Sequence, residues 1–251
     1  QMLSLFPRPQ GDPAFDPELI TARVARLRTF PVINTGHPLL DAAVKTGLAH
    51  IDATFQGNHP KYGTQGYANS EHDAFPPTII AAVDALSAWG LCERAAELLQ
   101  YWLKTFVRDD GTIDYYGPSI SEYGQLLHTG VLLVERAGPG DWWPDCFSAL
   151  DRMASYLLSL RDAAEKEDGL IAGSPEADEC EKTAKYFHNN AWAAQGLRRW
   201  STLCEQMPVT PHTAAQTIRT AAEGLASDTL AAIRRTWPED PSDYWLPPQT
   251  E

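Results

Sequence analysis

The chain has 251 residues, of which 43% are hydrophobic and 10% aromatic, and its formal net charge at pH 7 is −13. This composition is typical of packed globular domains and excludes a disordered acidic tail or a small disulfide-stapled module. The acidic excess argues against nucleic acid or an anionic membrane as a partner, and a neutral ligand fits it better. The apolar stretches are far shorter than the roughly 20 residues that span a bilayer, so no membrane segment is predicted.

Apolar residues recur with the 3.6-residue period of helices, and strand-like alternation is almost absent. We therefore predict an all-α protein, with a lead-in segment and helix over 1–36 and helical hairpins over 37–251. The predicted hairpin helices span residues 77–90, 93–107, 119–136, 144–167, 183–203 and 211–237.

Helices with few charges alternate with amphipathic helices. The helix predicted over 77–90 has Asp84 as its only charge, whereas the helix over 93–107 has one apolar and one charged face. The same contrast recurs in the next two pairs, which predicts three hairpins, each with an inner and an outer helix. The connections are too unequal for a helical solenoid with a fixed repeat of roughly 34–47 residues. We expect an α/α toroid in the form of an incomplete (α/α)6 barrel, with an irregular helical bundle as the alternative.

Long polar and aromatic segments precede the low-charge helices. They span residues 55–76, 108–118 and 166–182, and the terminal segment 237–251 has the same character. If the low-charge helices form an inner ring, these entry loops all lie on one rim. That rim is the predicted binding face.

The first entry loop supplies the candidate binding residues Tyr67, Glu71, His72 and Asp73. The acidic residues could instead complement the dipole of the helix that follows. Their aromatic neighbours favour a binding site.

The second entry loop and the following helix supply Asp114, Tyr116 and Gln125 as binding candidates and Glu122 as a catalytic candidate. Ser119 followed by Glu122 matches a capping box, in which Glu122 would bind only the Ser119 amide. However, an isolated carboxylate that enters a buried environment has a raised pKa, as a general acid requires.

The third entry loop supplies Glu176 as the second catalytic candidate, and the helix after it supplies His188, Asn189, Asn190 and Trp192 as binding candidates. Helix propensity explains an Asn pair in an apolar helix poorly. The pair either braces a neighbouring loop or contacts ligand hydroxyls.

Three short motifs resemble the six-hairpin glycosidase superfamily, the α/α-toroid group that includes glucoamylases, α-L-rhamnosidases and debranching-type glucosidases. The motifs are Asp-Gly-Thr-Ile-Asp-Tyr-Tyr at 110–116, Asp-Gly-Leu-Ile at 168–171 and Asn-Asn-Ala-Trp-Ala-Ala-Gln-Gly-Leu at 189–197. The resemblance covers roughly residues 62–203 and identifies no individual family.

The resemblance implies a rim pocket in which Trp or Tyr stacks on a sugar and Asp, Asn and Gln bind its hydroxyls. It also implies two carboxylates, which in the inverting scheme stand about 6.5–9.5 Å apart, with a water between carboxylate and sugar. Glu122 and Glu176 are chosen for this pair from burial and placement, because no family motif fixes either position. The expected ligand is a neutral oligosaccharide or glycoside.

No metal or cofactor is expected. The cysteines lie far apart without the spacing of a zinc or redox motif, and we expect ordinary thiols at Cys92, Cys146, Cys180 and Cys204.

Three other functions stay open. A polysaccharide lyase would use Tyr186, His188, Asn189 and Asn190, although the acidic rim would repel its polyanionic substrate. A sugar epimerase would use histidine pairs drawn from His72, His128 and His188. The third alternative is a non-catalytic carbohydrate-binding or structural portion of a larger enzyme.

The number of predicted helices is smaller than a complete (α/α)6 toroid needs. Six hairpins need 12 helices, whereas about eight are predicted here. We therefore expect the chain to be part of a larger or split enzyme that supplies the rest of the rim. An open toroid of this kind would expose apolar flanks of its inner helices.

Overall fold

The computed structural model describes residues 17–61, 70, 72–179, 182–207, 210–237 and 247–250. Contacts divide the chain into two compact units, Gln1–Gly57 and Asn58–Glu251. The described residues are mostly helical, which confirms the all-α prediction. A boundary after residue 36 stays a prediction.

The first unit contains helices α1 (Pro17–Leu27) and α2 (Pro38–Ala53) and the two-residue strand β1 (Phe55–Gln56). Asp52 of α2 is fully buried and pairs with two arginines of α1. Its Oδ2 lies 3.3 Å from Arg23 Nε, and its Oδ1 lies 2.9 Å from Arg26 Nε. A buried carboxylate needs such partners to offset its lost hydration, so this cluster joins the two helices.

The second unit begins with the short strand β2 (His59–Pro60), and its described residues continue with six helices. These are α3 (Pro76–Ala88), α4 (Cys92–Phe106), α5 (Ile120–Ala137), α6 (Trp143–Ala164), α7 (Phe187–Gln206) and α8 (Ala215–Thr236). The predicted boundaries lie within four residues of the observed ones. The starts of α7 and α8 differ most, by four residues each.

The late start of α7 has a structural cause. Ala184 pairs with Gly173, and Tyr186 pairs with Gln249, through isolated antiparallel bridges. The backbone before Phe187 is therefore extended, although the residue pattern favoured helix from Thr183 onward. Tertiary pairing overrides local preference here.

The six helices of this unit form three consecutive hairpins in two layers. Helix α5 packs between α3 and α7, and α6 packs against α4, α5 and α8. The low-charge helices α3, α5 and α7 are therefore neighbours, and their amphipathic partners α4, α6 and α8 form the second layer. The entry loops precede the N-termini of the first layer.

Two glycines bring α5 and α7 close together. A Cβ added at Gly124 would overlap the carbonyl of Trp192, and one added at Gly196 would overlap the carbonyl of Gly124. Both positions thus need a residue without a side chain. The close approach holds the first turn of α5 near the first turns of α7.

The apolar flanks expected on the inner helices are not exposed. Within the described part of α3, α5 and α7, Trp192 is the only large apolar side chain that is exposed. The expectation was wrong on this point because most apolar residues of these helices pack against neighbouring helices or loops.

Candidate functional site

Three entry loops meet through one chain of hydrogen bonds. The Tyr115 hydroxyl of the second loop lies 2.7 Å from Nδ1 of His72 in the first loop, and it donates to the carboxylate of Asp178 in the third. We call the surroundings of this chain the rim site, which comprises His72, Tyr115, Tyr116, Glu122, Glu176 and Asp178. The contacts fix the three loops on one side of the helical layer.

The hydrogen bonds define where His72 carries a proton. A tyrosine hydroxyl has one hydrogen, and Tyr115 gives it to Asp178. Nδ1 of His72 must then donate its own N–H to the Tyr115 oxygen. Burial, followed by the hydrogen bond to Asp178, raises the pKa of Tyr115 far above its ordinary value, so Tyr115 is a neutral phenol at physiological pH.

Glu122 lies in the first turn of α5 and is buried. The hydroxyl of Ser119 donates to Oε2 of Glu122, and the hydroxyl of Ser121 donates to the same oxygen at 2.7 Å. The capping-box alternative is not formed, because the Ser119 amide instead donates to the Gly117 carbonyl at 2.8 Å. Glu122 therefore does not form the capping box with Ser119.

Burial raises the pKa of the Glu122 carboxyl, and the negative charge of Glu176 raises it further. The hydroxyl of Ser121 and the backbone amide of Glu122 oppose this shift by stabilising the carboxylate. Burial is the largest of these effects, so the net shift is upward. A carboxyl held in its acid form at higher pH can donate a proton to a leaving group.

A narrow cleft opens beside Glu122. It is lined by residues of the second entry loop and of its neighbours: Pro76, Ile113, Tyr115, Tyr116, Gly117, Ser119, Glu122, Tyr123 and Ala177. Tyrosine rings and one buried carboxyl thus face the same small space. Its volume of about 10 Å³ has room for about one water molecule, so a sugar ring would have to lie at its mouth.

Tyr116 lines this cleft and is exposed, and Glu176 is exposed next to the lining residue Ala177. Glu176 is close enough to Glu122 and Tyr115 to influence both pKa values. The ring of Tyr116 meets that of Tyr115 edge-on, with centroids 4.8 Å apart. Both catalytic candidates therefore lie on one side of the helical layer.

The Asn pair of α7 is fully buried and braces the third loop. Nδ2 of Asn189 donates to the Ser174 carbonyl at 2.8 Å. Asn190 accepts from the Ile171 amide at 2.8 Å and donates to the Ile171 carbonyl at 3.0 Å. Of the two roles considered for the pair, bracing is the one that these contacts support.

Other candidates bind protein groups. Asp73 is buried, with Oδ2 lying 2.8 Å from Nε2 of His59 and 3.4 Å from Nζ of Lys61. Asp114 is exposed and pairs with Arg108. His188 Nε2 lies 2.7 Å from the Pro175 carbonyl oxygen. Their roles as ligand contacts stay predictions.

Two further binding candidates lie on the inner helices α5 and α7. Gln125 is partly buried on α5, and Trp192 is exposed on α7 with its ring edge-on to His128, their centroids 5.8 Å apart. Tyr67 and Glu71 lie outside the described residues.

The site contains two residues that were not among its predicted members, Tyr115 and Asp178. Tyr115 is next to Tyr116, and Asp178 lies two residues after Glu176. The loops that contain them were therefore predicted as part of the site, although these two residues were not. The contact between them joins positions 63 residues apart. No local sequence pattern encodes that pairing.

No family model, curated protein or solved structure matches this chain. Within the described residues, none of the helices has the length and apolar character needed to cross a membrane. In the same residues, no group of three or more His, Cys, Asp and Glu side chains is placed to hold a metal ion. Cys92, Cys146 and Cys204 are free thiols, and Cys180 lies outside the part described.

Proposed function

We propose that this protein hydrolyses the glycosidic bond of a neutral glycoside or oligosaccharide at the rim site. The observation that carries the proposal is Glu122, a buried carboxyl with a raised pKa beside a tyrosine-lined cleft and near Glu176. Two carboxyl groups in different environments are what acid–base hydrolysis of a glycoside needs. The superfamily resemblance of the three motifs points the same way.

In the proposed reaction Glu122 acts as the general acid. Its protonated carboxyl donates to the glycosidic oxygen as the bond to the anomeric carbon breaks. Glu176, which is exposed at the cleft edge, removes a proton from the water that attacks the opposite face of the sugar. The product then has the inverted anomeric configuration.

The proposal includes the arrangement of the helices. Three hairpins with low-charge helices in one layer are half of the six hairpins in an α/α toroid. Residues 247–250 support a further rim segment, because the Phe187 amide donates to the Pro248 carbonyl at 3.0 Å beside the start of α7. We infer that further hairpins, from a larger or split enzyme, complete the rim.

Matched Glu→Gln variants test the catalytic assignment. Aryl glycosides and neutral oligosaccharides are screened for turnover, and Glu122→Gln and Glu176→Gln should each reduce kcat at least about 100-fold. Glu223→Gln removes the same charge from an exposed position on α8 and should leave kcat unchanged. Near-normal kcat in Glu122→Gln would assign that carboxyl to structure alone.

A non-catalytic sugar-binding role is the second candidate. It is favoured by the two serine hydroxyls on Oε2 of Glu122, since a carboxyl held in this way can serve structure without chemistry. Saturable binding of a neutral sugar without turnover of the whole substrate panel would select this function.

The lyase and epimerase alternatives receive less support. The buried side-chain amides of Asn189 and Asn190 bind loop backbone, so they cannot also neutralise a uronate without rearrangement. Within the described residues, no contact joins two of the three histidines that an epimerase would pair.

A further inference from the structure

A second cavity lies at the other end of α5 and α7, away from the rim site. It has a volume of about 280 Å³, and its polar lining includes Glu135, Arg198, Arg199, Thr202, Gln206 and Arg219. Glu122 and Glu135 are 13 residues apart on α5. At a rise of about 1.5 Å per residue, the cavity is therefore roughly 20 Å from the rim site.

Three arginine side chains are concentrated around this cavity. Arg199 Nη2 lies 2.5 Å from Oε2 of Glu135, and Arg219 Nη2 lies 2.5 Å from Oε2 of Glu205. Arg198 has no carboxylate within ion-pair distance in the described part of the chain, and its Nη2 donates to the Gln195 side chain at 2.6 Å. The charge of Glu223 also acts on Arg219, so three guanidinium groups stand among three carboxylates, and Arg198 is the arginine without an ion pair in the described residues. This cluster lies in a protein whose overall formal charge is −13.

The arginines also retain hydrogen-bonding capacity. Each guanidinium has five N–H donors in a planar fork. Arg198 and Arg199 each use one nitrogen, and Arg219 uses Nε and Nη2, in the side-chain hydrogen bonds found among the described residues. Other donors remain for a ligand, and the fork geometry matches two oxygens of a carboxylate or a phosphate.

The floor of the cavity is apolar. Val131 of α5 and Leu203 of α7 are both buried and contribute to the lining. An apolar floor beneath a ring of charged and polar groups is typical of sites for small organic ligands. Phosphate esters and organic carboxylates combine an oxyanion with a short carbon skeleton in this way.

We propose that this cavity, the arginine cavity, binds the oxyanion of a small phosphate ester or organic carboxylate. Arg198 supplies a guanidinium without an ion pair in the described residues, and Arg199 of α7 and Arg219 of α8 add further donors. The site is independent of the rim site, so it stands whether or not the protein hydrolyses glycosides.

Thermal unfolding of the full chain tests the proposal. Inorganic phosphate and acetate are titrated separately at constant ionic strength, with chloride as the balancing anion. A site specific for the folded protein raises Tm with saturating dependence on ligand concentration. Saturation by phosphate alone identifies a phosphate site, and saturation by acetate alone identifies a carboxylate site.

Two variants separate binding from general salt effects. Arg198→Gln should weaken the apparent affinity at least about tenfold, because it removes charge-assisted hydrogen bonds. Arg235→Gln removes an exposed arginine from the last turn of α8 and should leave the affinity unchanged. Phosphate also stabilises proteins by exclusion from their surfaces, but that effect does not saturate and is equal in all variants. An absence of saturation with both anions, or equal affinities in the two variants, would overturn the proposal.

Discussion

Tyr115 donates its hydroxyl hydrogen to the carboxylate of Asp178, 63 residues further along the chain. Because His72 donates to the same hydroxyl oxygen, one phenol joins three loops that precede three different helices. The rim site therefore owes its shape to a polar chain at its surface as well as to the packed helices below.

Removing this hydroxyl should loosen the loops at small cost to global stability. We predict that Tyr115→Phe lowers the free energy of unfolding by about 0.5–1.5 kcal/mol, the usual net value of one hydrogen bond. Urea denaturation followed by tryptophan fluorescence measures the change. Tyr156→Phe is the control, since no hydrogen bond of its hydroxyl is found among the described residues. Equal losses in the two variants would show that the Tyr115 link is energetically neutral.

The raised pKa of Glu122 predicts a dependence of stability on pH. The folded protein holds this proton more tightly than the unfolded chain does, whose Glu has an ordinary pKa near 4.5. Stability linked to Glu122 is therefore fully present below the unfolded pKa and is lost as pH rises through the higher folded pKa. Glu122→Gln removes this loss, so the variant should gain stability relative to wild type as pH rises from 4 toward neutrality.

Urea denaturation of both proteins across this pH range measures the difference. A stability difference that is constant with pH, or that grows toward acid, would mean that the pKa of Glu122 is not raised in the folded protein.

Because α5 and α7 lie so close together, one added methyl group at their contact should lower the stability of the fold. In Gly196→Ala the new Cβ meets the Gly124 backbone, which cannot rotate away as a side chain can. We expect a loss of about 1–3 kcal/mol, the usual cost of overpacking a core. Gly47→Ala adds a methyl in α2 with no atom within 4 Å and should be neutral or slightly stabilising. Thermal unfolding followed by circular dichroism compares them, and a neutral Gly196→Ala would contradict the close helix contact.

The bracing role of Asn190 predicts a stability effect in the absence of ligand. Asn190→Ala leaves the buried amide and carbonyl of Ile171 without their side-chain partner, at a cost of about 1–3 kcal/mol for each unsatisfied group. Asn189→Ala removes a single bond, to the Ser174 carbonyl, and should cost less. Chemical denaturation ranks the two variants. If Asn190→Ala keeps wild-type stability but loses sugar affinity, Asn190 contacts the ligand instead.

Much of the helical framework could be predicted from residue patterns. Ile79, Val83 and Leu86 are buried on one face of α3. A buried helix face places apolar residues at a period of about 3.6 residues, so their spacing in the sequence predicts a helix. The start of α7 could not be predicted in this way, because Ala184 and Tyr186 are held extended by partners distant in sequence.

The candidate site could likewise be predicted only in part. Glu122 was identifiable because a lone acid in an apolar helix is chemically conspicuous, and its burial follows from that helix. The polar links of Tyr115 and Asp178, and the inward placement of Asp73 against His59, depend on how separate loops fold together. Local residue patterns contain no information about those distances.

The anomeric configuration of the first product tests the proposed function most directly. Wild-type protein is incubated with a neutral glycoside that it turns over, and proton NMR follows the anomeric signals before mutarotation equilibrates them. Glu122 as acid and Glu176 as base predict that the inverted anomer appears first. Appearance of the retained anomer first would contradict this account.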